Sequence, residues 1–337
     1  MKGLKDLAIK LLPWVITVVA LYLAFGGVDW QIIVRHLHEV DPSWLCVAFS
    51  CTCLSYLFRS RRWQDLFPEH TLSFSAATRT LILGFFMNNI LPARAGELVR
   101  AHMGSRLSGQ TRTLVLATIA SERLIDGLTI SLMFVAFAIG LGDQNTSQNM
   151  LYVAYGFAIV AATVILTLIF RAPLFALAEK VSELIEHRAS NYTLDRFQVF
   201  VNGLSPLTTI SKLPVIIGWS AVVWGTELLV YISVLKAYST EVPLAYAVLF
   251  LVAVNFSSLI PSAPGAIGVI EAIASAVLVS IGIEKEHALT MVMTQHVIQY
   301  LVVGLPGAII LLTWRKNINS ANDERTGNIA ARGSALD

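Results

Sequence analysis

The stretch Gly84-Phe85-Phe86-Met87-Asn88-Asn89-Ile90-Leu91-Pro92-Ala93-Arg94-Ala95-Gly96-Glu97-Leu98-Val99-Arg100 decides how the chain is read. An apolar run about half a membrane thick ends in two asparagines, a proline and a glycine. A charged helical start follows at once. The same grammar returns at Val254-Asn255-Phe256-Ser257-Ser258-Leu259-Ile260-Pro261-Ser262-Ala263-Pro264-Gly265-Ala266-Ile267-Gly268-Val269-Ile270-Glu271. Setting Pro92 on Pro261 puts Asn88-Asn89 on Ser257-Ser258 and Gly96 on Gly265. Broken apolar segments with polar tips, at corresponding places of two halves, point to a transporter-type site.

The composition agrees. Hydrophobic residues make up 55% of the chain and charged residues 14%, against about a quarter charged in a soluble domain. That excludes an ordinary soluble enzyme and implies an all-α polytopic membrane protein. A net charge of +2 gives no sign of nucleic acid binding. Cys46, Cys51 and Cys53 share one apolar run, with neither zinc spacing nor a disulfide framework. No metal or cofactor is expected.

Working outward, Leu11 to Val28 reads as a first span behind Lys2, Lys5 and Lys10. An anchor fits it better than a cleaved signal, since later runs must insert anyway. Val40 to Phe58 is a second span, closed by Arg59-Ser60-Arg61-Arg62. Trp63 to Arg79 is mixed and interfacial. Thr113 to Leu141 and Leu151 to Phe170 follow. Residues 171–212 read as an amphipathic surface linker, with Leu174, Leu177, Ala178, Val181, Leu184 and Ile185 at helical spacing. Pro214 to Leu235 and Ala288 to Trp314 are the remaining spans. Residues 1–316 thus form the membrane domain, with halves about 40–141 and 214–314, and 317–337 a disordered cytoplasmic tail.

Basic residues orient this layout. With a cytoplasmic N-terminus and two re-entrant hairpins, twenty of the twenty-four Lys and Arg lie inside or in the tail. Arg35, Lys236 and Lys285 lie outside, and Arg123 lies within the bilayer, as the positive-inside rule requires. The expectation is about six full spans plus two broken helical hairpins in an inverted repeat, multi-pass in the cell membrane, with both termini cytoplasmic. Two full crossings in place of the second hairpin would leave the ends on the same sides. The uncharged tip Pro261–Gly265 favours the hairpin.

Several residues could carry chemistry. Glu122, Arg123 and Asp126 share one side of a helix, roughly 15 Å into it and so near the bilayer centre. Charge there is costly, and it serves either as an internal ion pair or as part of a polar pathway. Glu227 and Glu271 are further intramembrane carboxylates. Each is either a hydrogen-bond partner for a broken helix end or a coupling group, since buried carboxyls can titrate. His296 stands in the last span as packing or as a second coupling group. Arg94, Glu97 and Arg100 follow Pro92 on one helical face. Pro92 suits a helix start, and the free N–H groups there with two arginines make a cradle for phosphate; the plainer role is that of edge arginines. Asn145-Thr146-Ser147 fits a glycosylation sequon, expected to be accidental. No nucleophile triad, Walker loop or dinucleotide fingerprint appears, and no enzymatic activity is expected.

The motifs Asn88–Arg100, Glu122–Asp126 and Pro261–Glu271, in that order, resemble the flippase-like transmembrane domain of lysylphosphatidylglycerol synthases over about residues 10–315. That domain also occurs alone, in some cases linked to hopanoid or glycolipid pathways. In full-length synthases a cytosolic domain follows that transfers an amino acid from tRNA to lipid. Here fewer than thirty residues follow Trp314, so the resemblance implies lipid handling and no synthase activity. The family usually carries a second glycine where this chain has Ala266. Free backbone at the two broken tips, the helix starts behind them and the intramembrane charges place the expected headgroup site at Asn88, Asn89, Pro92, Arg94, Gly96, Glu97, Arg100, Glu122, Arg123, Asp126, Pro261, Pro264, Gly265 and Glu271, with Glu227 and His296 as candidate coupling groups. The expected partner is a membrane lipid with an anionic or phosphate-bearing headgroup. Two functions stay open: a flippase, or a lipid-binding subunit that serves a separately encoded glycosyl- or aminoacyltransferase.

Overall fold

The computed structural model describes residues 2–68, 71–91, 95–140, 211–241 and 243–333, with isolated positions between 155 and 209. Most of the expected span Leu151–Phe170, most of the linker 171–212, Asn145, Pro92 and Arg94 lie outside the described residues. Those described form ten helices and no strand.

Helix α1 (Lys2–Phe25) turns by 77° into the short α2 (Trp30–Glu39). Gly27 makes the corner at φ 72, and the Asp29 carboxylate starts α2 by accepting the Gln31 N–H. Helix α3 (Pro42–Asp65) begins on an Asp41 cap with proline in its first turn, where a missing N–H is harmless. Helix α4 (Phe74–Ile90) is capped by Ser73. Helix α5 (Gly96–Ser108) stops at the left-handed Gly109, and α6 (Arg112–Gly140) follows. In the second half come α7 (Leu213–Ala237), α8 (Leu244–Ser257), a 3₁₀ turn (Pro264–Ala266), α9 (Val269–Ser280) and α10 (Lys285–Gly333).

Helix α3 thus runs seven residues beyond the expected span end at Phe58 and takes Arg59–Arg62 with it. Trp63, expected at an interface, is fully buried. Helix α10 continues through residues 317–333, which composition assigns to a disordered tail.

Among the described residues, α7 and the Lys285–Trp314 part of α10 are long and apolar enough to cross a membrane. The bent α1–α2 pair is a third if taken as one broken span. Helices α3 and α6 have 24 and 29 residues, about 36 and 43 Å of length, but spend part of it on charged residues. Apolar side chains face outward on α1 (Leu12, Val18, Leu23) and α10 (Leu301, Leu305, Ile309, Leu312). This is the surface expected against lipid rather than water.

Hydrogen bonds fix the two ends of the bundle. At one, Lys285 Nζ donates to Gly26 O at 2.7 Å, the Asp41 N–H donates to Ala237 O at 2.9 Å, and Thr240 Oγ1 lies 2.9 Å from His287 Nε2. At the other, Trp219 Nε1 donates to Asp65 at 3.0 Å and Gln64 Nε2 donates to Leu72 O at 2.9 Å. Helices α3 and α7 are therefore antiparallel. The α4–α5 segment leaves the second end and returns to it. The α8–α9 segment leaves the first end and returns there. Helix α4 packs on α5 and α10, while α8 packs on α9 and α6.

Candidate functional site

The tips of the two broken segments meet in one cavity of about 450 Å³. The first tip contributes Asn88, Asn89 and Leu91, and the second contributes residues 258–266. Between them the wall is completed by Arg59 from α3, Arg123 and Asp126 from α6, Glu227 from α7 and His296 from α10. Residues more than two hundred positions apart thus build one polar chamber inside an apolar protein.

The first tip is held by a backbone contact between α4 and α5. The Gly96 N–H donates to Asn88 Oδ1 at 2.9 Å. A β-carbon on Gly96 would stand 2.0 Å from Gly84 O. Gly96 is the point at which the arms touch, and Asn88 closes an otherwise free helix-start N–H.

The second tip turns on three left-handed residues within a stretch of four. Gly265, Ala266 and Gly268 have φ of 71, 56 and 86. Gly265 has a further reason to be glycine, since a β-carbon there would stand 1.5 Å from Tyr300 Oη. Glu271 accepts the Gly268 N–H at 2.6 Å with one oxygen and meets His296 Nδ1 at 2.6 Å with the other. Of the two roles expected for Glu271, the geometry displays the hydrogen bond to a broken helix end. His296 ties that end to α10. The Ala263 N–H donates to Thr17 Oγ1 at 2.8 Å, so α1 also holds this tip.

Ala266 is strained, because a left-handed conformation costs a side-chain-bearing residue about 1–2 kcal/mol. The departure from the usual second glycine therefore keeps the turn and bears its strain. Ala266→Gly should stabilise the protein by about 1 kcal/mol, measured by denaturant titration in mixed micelles. A lower midpoint would show that the methyl packs favourably instead.

Below the cavity lies an ion-pair network. Arg62, fully buried, meets Asp126 at 2.8 Å and Glu122 at 4.0 Å. Arg100 pairs with Glu122 and stacks over the Trp63 ring at 4.0 Å. Arg59 lies 3.7 Å from Asp126 and 3.4 Å from Glu227, and sits over the Trp224 ring at 4.9 Å. Arg123 meets Glu97 at 3.0 Å and Asp126 at 3.9 Å. Ser55 Oγ donates to Glu227 at 2.7 Å, and Trp224 Nε1 donates to Asp126 at 3.0 Å. Four guanidinium groups face four carboxylates. Burial without partners would cost each several kcal/mol, so mutual pairing is the condition for holding them there.

The structure redistributes the expected site. Asn88, Asn89, Arg123, Asp126, Pro261, Pro264, Gly265, Glu227 and His296 line the cavity. Gly96, Glu97, Glu122 and Glu271 stand behind it as its supports. Arg100, expected to face a headgroup, is turned into the protein and is 2% exposed. Arg59 and Arg62, counted with the cytoplasmic basic residues, are buried inside the network. A signal for them existed. Ser55, Arg59 and Arg62 stand at i, i+4 and i+7 on one helical stripe, whereas Arg61 lies off it and is exposed.

A helical membrane protein with two broken segments meeting at a half-open, charge-paired cavity is the class that fold and site define. Residues 10–307 match the family model of the lysylphosphatidylglycerol synthase TM region, and the chain belongs to that family. It is similar to a UPF0104 membrane protein of Pyrococcus horikoshii, with 21% identity over 91% of this chain and 97% of the relative. A UPF0104 membrane protein of Methanocaldococcus jannaschii is 22% identical over 69% of this chain and 96% of its own length. The glycosyltransferase AglD of Haloferax volcanii is 22% identical over 92% of this chain. This chain spans only 55% of that relative's length.

Proposed function

We propose that this protein is a lipid transporter of the cell membrane that passes a lipid headgroup between leaflets through the cavity at the two tips, and that it performs no covalent chemistry. One observation carries the reading: two polar-tipped segments, far apart in sequence, close on a single chamber. Backbone freed at broken helices is tolerated at membrane depth only where it lines protein or a hydrated cavity. The packing also supports an inverted repeat. Helices α3 and α7 each carry a proline in the first turn, Pro42 and Pro214, 172 residues apart, and Ser55 and Glu227, also 172 apart, touch where the two cross. The contacts of α4 with α10 and of α8 with α6 exchange under the same relation. Six full spans, two re-entrant hairpins and cytoplasmic termini complete this layout.

Exchange of fluorescent lipids, a glycolipid and a phospholipid in separate arms, by purified protein in liposomes tests transport, and exchange of either one counts. The parent should equilibrate the leaflets, and Arg123→Gln should slow exchange about tenfold or more while the protein still folds. Binding without exchange in the parent would favour the second reading, a lipid-presenting subunit beside a separate transferase. The similarity to a protein named as a glycosyltransferase supports keeping that reading.

Orientation has its own test. In a background with Cys46, Cys51 and Cys53 replaced by alanine, Ser239→Cys should react with an impermeant thiol reagent in intact cells. Ser211→Cys should react only after lysis. Both positions are exposed and stand at opposite ends of the bundle. The reverse pattern would invert the topology. Ser262→Cys, at a position 7% exposed, should react slowly from both sides, and fast cytoplasmic labelling would favour two full crossings.

A further inference from the structure

We infer that the cavity recognises the hydroxyls of a sugar headgroup rather than a phosphate. This builds on the reading of the cavity as a headgroup site and names its ligand chemistry. A phosphate is an acceptor of hydrogen bonds and carries negative charge, so its site needs donors and surplus positive charge. Among the described residues the cavity offers no such surplus. Arg59 is shared between Asp126 and Glu227, and Arg123 between Glu97 and Asp126. The other two guanidiniums, those of Arg62 and Arg100, are spent on Asp126 and Glu122 behind the wall. The remaining charged pair, Glu271 with His296, adds no net positive charge.

What the wall does offer is donors interleaved with acceptors. Amides come from Asn88, Asn89, Asn255 and Gln299, and phenols from Tyr56 and Tyr300. Each amide both donates and accepts, as does each phenol. The Asp126 and Glu227 carboxylates, which would repel a phosphate, suit the O–H donors of a polyol. Among the wall's neutral side chains, Tyr300 Oη is buried and meets no hydrogen-bond partner, although it lies against Gly265, on the cavity wall. A buried hydroxyl left unpaired is costly, and a ligand hydroxyl would satisfy it.

The test is calorimetric titration of the protein in phosphatidylcholine nanodiscs, with empty nanodiscs as the blank. The probes are octyl β-glucoside, octyl β-galactoside and octyl α-mannoside, octyl phosphate of the same chain length, and the free sugars. At least one glycoside should bind about tenfold or more tightly than octyl phosphate. Tyr300→Phe should weaken that glycoside about threefold to tenfold and leave octyl phosphate unchanged. Octyl phosphate binding as tightly as every glycoside would overturn the sugar assignment and leave the lipid-headgroup reading standing. A free sugar binding as tightly as its glycoside would uphold the sugar assignment and overturn the lipid one. No binding by any probe would overturn both.

Discussion

Arg62→Ala is expected to destabilise the protein by about 3 kcal/mol. The side chain is wholly buried, so its removal leaves carboxylates in the interior short of a partner, and breaking such a pair costs about 3–5 kcal/mol. The lower end applies because Asp126 keeps two more distant guanidiniums, Arg59 at 3.7 Å and Arg123 at 3.9 Å, and the Trp224 N–H. Glu122 keeps Arg100. By contrast, Arg123 is 32% exposed, its pairs are screened, and Arg123→Ala should cost about 1 kcal/mol or less. Adding Asp126→Asn to Arg62→Ala should restore part of the loss, since the carboxylate then needs no counter-charge. Denaturant titration of the two single variants and the double variant in mixed micelles supplies the cycle. Equal costs for Arg62 and Arg123, or strict additivity of Arg62 with Asp126, would mean that the network is not held by charge.

That contrast shows what a sequence of this kind reveals. The broken segments were legible because Asn, Pro and Gly interrupt apolar runs, and local chemistry alone stops a helix there. The trio Glu122, Arg123 and Asp126 was legible because charge in mid-run is costly enough to demand a reason. The gap between Gly268 and Glu271 also carried a local signal, the three-residue spacing of a capping carboxylate. Arg59 and Arg62 carried only an ambiguous signal, their helical stripe with Ser55. A basic cluster after an apolar run is also what a membrane edge produces, and only α3 continuing past Phe58 separates the two meanings. Arg100 misled for a related reason. Helical spacing puts Arg94, Glu97 and Arg100 on one face, but does not say whether that face meets the cavity or α6. Tertiary packing decides it, through the Arg100–Glu122 pair and the Trp63 ring.

Gly96→Ala should be still more damaging than the loss of a charge partner, although it adds a single methyl. The new β-carbon would lie 2.0 Å from Gly84 O, 2.6 Å from Asn88 Oδ1 and 2.7 Å from Asn88 N. Two of these three neighbours are backbone atoms and cannot swing aside as a side chain does. Relief requires the α4–α5 arms to separate, which would break the Gly96 N–H bond to Asn88 and open packing between Gly84 and Arg100, whose Cβ stands 3.1 Å from the position of a Gly84 β-carbon. Overpacking a core costs about 1–3 kcal/mol where side chains can adjust; here the cost should exceed about 3 kcal/mol. Because Asn88 lines the cavity, the defect should reach function as well. Gly96→Ala should lose lipid exchange at temperatures where residual folded protein is still detectable. Gly109→Ala is the control. Its φ of 70 brings conformational strain, but nothing lies within 4 Å of the added carbon, so about 1–2 kcal/mol is expected with exchange retained in the folded fraction. If Gly96→Ala proves as mild as Gly109→Ala, the arms of the first hairpin do not meet at Gly96, and the cavity between the tips is built differently.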